Sequence, residues 1–471
     1  MSIKKLIGDK AFYRTVLAVA VPIMVQNGFT NLVNLLDNIM VGRLGTESMS
    51  GVSIVNQFMF VFNLLIFGAI SAAGIFTAQY HGLGETDGVR QTFRLKMIIN
   101  LSASVLGVAV FALLGETLIN TFLHDGSIEG DLAMTMAEGK RYLYWMLIGL
   151  VPYSLAQAYA STMREVGETV PPMIASIAAV VTNFALNWVL IFGHLGAPAL
   201  GVAGAAIATV VSRFAELLIL LIWGHLKTQK FSFLKGAYFP FYVSGALIKR
   251  VALKGMPLMM NELFWALAVT MRNQCYSTRG LDVVAAQNIN STVENLVSVV
   301  YMAIGTSIAI VVGNLLGAGK LEEAKDADRK MLAFSIVCAL LMGGVLASVS
   351  GVFPQLYETE DAVRGLAGFM MIVTAVATPF RSFAHAAYFT LRSGGKVFIT
   401  LLFDSIYMWA IVIPVSAVLS YCTGIDIYWL FIVCQGVEAA KVLLGVFLLR
   451  RGDWAKQLVG KNDAKAETPS A

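Results

Sequence analysis

Apolar residues fall in twelve long runs separated by short polar stretches. The first six cover residues 16–40, 50–79, 94–114, 139–161, 168–193 and 200–224. The second six cover residues 250–276, 284–314, 330–352, 364–388, 396–419 and 426–449. A helix needs roughly 20 mostly apolar residues to cross the hydrocarbon core of a bilayer, and each run meets that length. Backbone facing lipid must satisfy its own hydrogen bonds, and these runs are too long for barrel strands. The pattern predicts an all-α integral membrane protein with twelve transmembrane helices. The basic N-terminus leads into the first run with no small-residue cleavage site after it, so that run is read as a retained helix.

Basic residues give the direction of threading. With both ends inside, the inner segments hold 25 of the 34 Lys and Arg residues and the outer segments hold 5. That bias predicts a multi-pass protein of the cell membrane with cytoplasmic N- and C-termini. The outer stretch His124–Glu138 is acidic, in agreement. Composition fits the same picture: of 471 residues, 57% are hydrophobic and 13% charged, where a soluble domain carries about 25% charged residues. No segment is polar and long enough to fold as a separate soluble catalytic domain. The net charge of +5 is therefore assigned to cytoplasmic loops and not to nucleic-acid binding.

The chain also repeats itself. Sliding residues 22–84 along by 235 positions lays Pro22 on Pro257, Phe29 on Phe264, Asn38 on Asn273, Gly45 on Gly280, Gly82 on Gly317 and Gly84 on Gly319. Matching Pro and Gly mark backbone geometry, which shared greasiness does not explain. Further on, Arg164 and Gly167 fall on Arg392 and Gly395, and Glu216 on Glu438. Two halves with an even number of spans share one orientation, so the repeat is parallel, about an axis along the membrane normal. The expected organisation is an N-lobe of helices 1–6 over residues 1–226 and a basic cytoplasmic linker over 227–249. A C-lobe of helices 7–12 over 250–450 and a polar cytoplasmic tail over 451–471 complete it.

Charges inside a bilayer cost several kcal/mol and are functional candidates. Arg213 with Glu216, and Glu438 with Lys441, lie three apart on one helix face and are expected to neutralise each other. Arg381 and His385 sit near the cytoplasmic third of their span and are expected to snorkel; Glu294 lies in the outer half of its own. Asp37 and Glu262 have no partner three or four residues away, and Asp404 lies eight residues into span 11. An unpaired carboxylate in hydrocarbon either protonates or holds a cation, which is what an ion-coupled carrier requires. Arg272 is the repeat mate of Asp37, and the two are expected to pair across the cleft in one state, as a structural lock. Asn183 and Asn187 share a face of span 5, and Thr209 in span 6 can add an oxygen. These oxygens beside Asp37 suit Na+ or a proton relay, although polar residues also join membrane helices routinely.

No Gly-x-x-x-x-Gly-Lys-Ser/Thr motif is present, and no acid–base or metal constellation marks an enzyme. The four cysteines lie far apart and are expected to be free thiols. No cofactor is expected beyond a coupling H+ or Na+.

Four motifs in order resemble the multidrug and toxic compound extrusion (MATE) transporters. They are Asp37-Asn-Ile-Met-Val-Gly-Arg-Leu-Gly45, Gly201-Val-Ala-Gly-Ala-Ala-Ile-Ala-Thr209, Gly313-Asn-Leu-Leu-Gly-Ala-Gly319 and Arg392-Ser-Gly-Gly-Lys396. The resemblance spans roughly residues 12–450. It implies two six-helix lobes around a central cavity open to one side at a time. It implies export of small cationic or amphipathic compounds driven by inward Na+ or H+. The family's first-helix acid matches Asp37 and its span 5 Asn matches Asn183, but the following family Asp is Asn187 here. The family's span 7 acid lies eight residues after the proline, where this chain has Trp265; Glu262 lies five after Pro257.

The sequence therefore points to a secondary exporter, expected to act as a monomer in contact with membrane lipid. Its candidate site residues are Asp37, Asn183, Asn187, Thr209, Glu262, Arg272 and Asp404, with Na+ at Asp37, Asn183, Asn187 and Thr209. Trp265, Phe264, Tyr276, Met259 and Met260 are expected to offer faces for planar cations. The alternative is a flippase for a lipid-linked cell-envelope precursor, for which Arg272, Arg213 and Arg381 would meet an anionic pyrophosphate.

Overall fold

The computed structural model describes residues 6–123, 131–357 and 359–460. The last residues of the expected tail, 461–471, and the first part of the acidic outer stretch, 124–130, lie outside them. Among the described residues all regular structure is helical. The first half holds α1 (Lys10–Gly42), α2 (Thr46–Leu83), α3 (Thr86–Asn120), α4 (Leu132–Glu165), α5 (Val170–Phe192) and α6 (Val202–Leu226). The second holds α7 (Gly245–Ser277), α8 (Leu281–Gly317), α9 (Leu321–Val349), α10 (Asp361–Ser393), α11 (Val397–Tyr421) and α12 (Ile427–Arg450).

Ten of these twelve are long and apolar enough to cross a membrane on length and composition. The other two, α4 and α7, are as long, 34 and 33 residues, but more polar. In α7 the reason is visible: Asn261, Glu262 and Arg272 sit along it, and each meets a partner inside the protein. A helix that carries polar groups for its neighbours loses the hydropathy by which spans are counted.

The repeat is written in the backbone. Gly45 and Gly280 have φ of 113° and 120°, Gly84 and Gly319 have 79° and 75°, and Gly167 and Gly395 have 84° and 71°. All lie in the left-handed region that disfavours side chains, so these three loop turns of one half recur in the other.

Two compact units result. One gathers residues 25–77 and 86–251, the other residues 6–24, 78–85 and 252–460. The division departs from the expected lobe edges. The first part of α1 joins the second unit because Val16 packs with Ile304 and Ile308 in one buried cluster, and Val19 and Ile23 with Ala303 and Ile310 in another. The change of unit follows Pro22, which sits inside α1 and removes a helix hydrogen bond. The linker belongs to the first unit and is built, not loose. Arg94 donates from Nε to Ala237 O (2.8 Å), from Nη1 to Tyr242 O (2.7 Å) and from Nη2 to Gly236 O (2.6 Å), and Phe231, Phe233 and Leu234 are buried.

Candidate functional site: a carboxylate–amide cluster in the first unit

Three helices of the first unit bring Asp37, Asn183, Asn187 and Thr209 together. Helix α5 starts on Pro171 and Pro172 and stops at Gly193, whose φ of 76° ends the helix. Its two asparagines, one turn apart, are 5% and 1% exposed. Helix α6 lies unusually close, because a Cβ on Gly204 would stand 2.5 Å from the Leu190 carbonyl oxygen of α5. The glycine in the Gly201-Val-Ala-Gly motif therefore sets the helix spacing that puts Thr209 beside Asn183.

Asn187 donates from Nδ2 to Asp37 Oδ1 at 2.6 Å, with the Asn183 oxygen 3.2 Å from the same nitrogen. Asn183 meets the Thr209 hydroxyl at 3.1 Å. Turning the Asn183 amide over serves its neighbours better: Nδ2 then lies 2.9 and 3.0 Å from the two Asp37 oxygens, and Oδ1 accepts from Thr209. Amide O and N are told apart only by their hydrogen bonds, and Asp37 as an ionised acceptor favours this orientation. The Asn187 oxygen is buried without a partner. No basic side chain forms an ion pair with Asp37 among the described residues. The one arginine nearby on α6, Arg213, pairs with Glu216 at 3.5 Å and lies over the Tyr153 ring at 4.7 Å, as its spacing predicts.

The other site residues belong to the second unit and are joined differently. Arg272 pairs with Glu438. Arg381 pairs with Glu294, donates to Gln435 at 2.6 Å and has Glu438 at 3.7 Å. Lys441 pairs with Asp404 at 2.6 Å, and Asn261 donates to the other Asp404 oxygen at 3.1 Å. Glu262 accepts from the Tyr388 hydroxyl at 2.8 Å.

Two expectations are corrected here. The Glu438–Lys441 pair does not form, because each finds a partner on another helix. Arg381 does not snorkel: it is enclosed by acids, which also accounts for Glu294. Nor does His385 snorkel; it is half-buried among Tyr301, Tyr388 and Phe389, and its buried Nε2 has no partner. Of the aromatic and methionine set, Trp265 and Met260 are 40% and 43% exposed, whereas Tyr276 is buried against Phe431.

Sequence reasoning missed one feature of this region. In α11, Leu402–Ile406 and Met408–Val412 are π-helical, a widened turn frequent at functional sites, and Asp404 lies in the first of them. No run of residue types signals it. Among the described residues no group of three or more His, Cys, Asp or Glu could hold a metal ion.

A duplicated twelve-helix membrane bundle is a transporter architecture. The chain belongs to the MatE family, whose model matches it twice, over residues 22–189 and 257–418. The matches begin at Pro22 and Pro257, the pair that opens the internal repeat. Similar proteins include "Probable multidrug resistance protein NorM" of Thermotoga maritima, 24% identical, with 95% of this chain and 94% of that protein covered. "Multidrug resistance protein PmpM" of Pseudomonas aeruginosa is 24% identical over 86% of this chain and 84% of its own. The fold matches a solved Vibrio cholerae MATE transporter, VcmN, with a TM-score of 0.84 at 17% identity, covering 94% of this chain and 97% of that one. An outward-facing multidrug resistance MATE family transporter matches with a TM-score of 0.84 at 19% identity, covering 95% and 98%. The chain is a multi-pass membrane transporter of this family.

Proposed function

We propose that this transporter exports small cationic or amphipathic compounds by alternating access, and that inward H+ or Na+ acting at Asp37 drives it. It works from the cell membrane as a monomer, and the basic-residue bias supports an orientation with both termini cytoplasmic. The observation that carries the reading is the contrast in partners: Asp37 is held by asparagine amides and no cation, while Arg272, Arg381 and Lys441 of the second unit each meet a carboxylate.

The chemistry follows. A partly buried carboxylate with only neutral donors is stabilised by hydrogen bonds but not neutralised. It gains from taking a proton, or from a small cation that the Asn187 and Thr209 oxygens also touch, with the Asn183 oxygen joining once that amide turns back. The unpartnered Asn187 oxygen is a ready ligand for such an ion. Once Asp37 is neutralised, its hold on the two amides weakens, and α5 and α6 lose a reason to stay fixed against α1. Occupancy thereby biases the arrangement of the unit, and a bias differing between states is what couples ion to substrate. The four oxygen donors suit Na+, which takes oxygen ligands, and one carboxylate where the family pattern has two lowers the negative charge offered to it. The flippase reading loses its basis in the arginines, since Arg213, Arg272 and Arg381 are all matched by carboxylates.

The test is efflux from proteoliposomes under an imposed Na+ gradient or an imposed pH gradient, across a small panel of lipophilic cations. Gradient-driven accumulation of at least one cation is expected. No response to either gradient with any of them would refute the reading.

A further inference from the structure

The ends of α2 and α8 cross with their backbones in direct contact. A Cβ on Gly82 would collide with the Asn314 carbonyl, and a Cβ on Gly317 would collide with the Gln79 carbonyl. These four residues are two repeat pairs, Gln79 with Asn314 and Gly82 with Gly317, each 235 positions apart. Each glycine therefore touches the residue that its own mate's neighbour would supply, and the crossing has local two-fold symmetry.

The side chains break that symmetry. Gln79 is satisfied: Nε2 donates to Ser393 O (3.0 Å) and Lys456 O (3.2 Å), and Oε1 accepts from the Leu458 N–H (2.6 Å). The oxygen of its mate Asn314 is buried without a partner. What makes the difference is the segment after α12. From Gly452 the chain turns back, Trp454 is 3% exposed and Val459 4%, and Gln457 Nε2 donates to Gly317 O at 2.9 Å. The Trp454 carbonyl fills the space a Cβ on Gly394 would need, and Leu458 covers Gly395. One short strap thus fastens the last turns of α2, the end of α8 and the α10–α11 turn.

Its placement on α2 matters. Residues 78–85 cluster with the second unit, whereas α2 up to Thr77 belongs to the first. Displacing α2 along with its own unit means pulling Gln79 out of three hydrogen bonds and parting the glycine crossing.

We propose that residues 452–460 are a built-in latch that holds the α2–α8 crossing closed, so that releasing it favours opening on that face. By the basic-residue bias this face is cytoplasmic. The inference rests on the alternating-access reading but not on Asp37 or on the identity of the ion.

The test uses the full chain in nanodiscs, with Cys275, Cys338, Cys422 and Cys434 replaced and spin labels at Gln229 and Glu322. Gln229 is exposed in the linker, and the Glu322 side chain is 85% exposed at the start of α9. Inter-label distances are read by pulsed electron paramagnetic resonance in the parent, in Gln79→Ala and in a chain ending at Arg451. Both variants are expected to move the distribution toward longer separations, by about tenfold in the closed-to-open ratio for three lost hydrogen bonds. Gln79→Ala keeps the strap and guards against misfolding of the shortened chain. A parent-like distribution in Gln79→Ala would overturn the latch, including the case in which melting temperature falls while distances stay put.

Discussion

Asp37 in the first unit and the basic residues of the second are held in opposite ways. In the first unit, Asp37 is approached by asparagine amides, and no cation is bonded to it. In the second, Arg272, Arg381 and Lys441 are each matched to a carboxylate from a different helix. A matched set resists change, because removing either partner leaves an uncompensated charge. A carboxylate held by neutral donors can exchange its guest with little rearrangement. On the proposed function, the bundle that carries Asp37 is the ion-responsive element and the matched network of the other serves as its frame.

The difference can be broken at several points. The largest effect is expected from Asp37→Asn, which keeps the shape but removes the charge: gradient-driven efflux should fall to background while folding, followed by size-exclusion profile and melting temperature, is retained. In the second unit, Lys441→Met leaves Asp404 with only Asn261 and should cost about 3–5 kcal/mol of stability. Adding Asp404→Leu should restore most of that loss, with transport retained, which thermal melts and efflux of the single and double variants would show. A double variant that is stable but inactive would move Asp404 from the frame into the coupling site. Gly204→Ala should push α6 away from α5 and cost about 1–3 kcal/mol, with a weaker ion dependence because Thr209 retreats from Asn183. The smallest expected effect is a gain: Asn187→Asp restores a second carboxylate and should raise the response to Na+ relative to pH, measured as the Na+ concentration for half-maximal efflux.

Much of the first unit's site is legible in the sequence, for a physical reason. Asn183 and Asn187 are one helical turn apart, so a common face follows from their spacing alone. Asp37 stands out because nothing near it in sequence can neutralise it. The Gly45–Gly280 and Gly82–Gly317 matches likewise carry information, since a left-handed turn and a backbone crossing tolerate few other residues. The second unit's network is not legible. Its pairs join residues such as 272 with 438 and 294 with 381, and sequence proximity instead offers Glu438 the wrong partner, Lys441. The same holds for the strap: a tryptophan in a polar tail gives no sign that it will be covered. The polar character of α7 is a further case, because its hydropathy is lowered by groups whose partners lie far along the chain.

The central claim is that occupancy of Asp37 by the coupling ion drives export. Its most direct test is efflux of one lipophilic cation from proteoliposomes containing the parent or Asp37→Asn, with the same imposed ion gradient and matched protein incorporation. The account predicts accumulation against the gradient in the parent alone, with at most downhill leakage in the variant. Uphill transport by Asp37→Asn at the parent rate would contradict it.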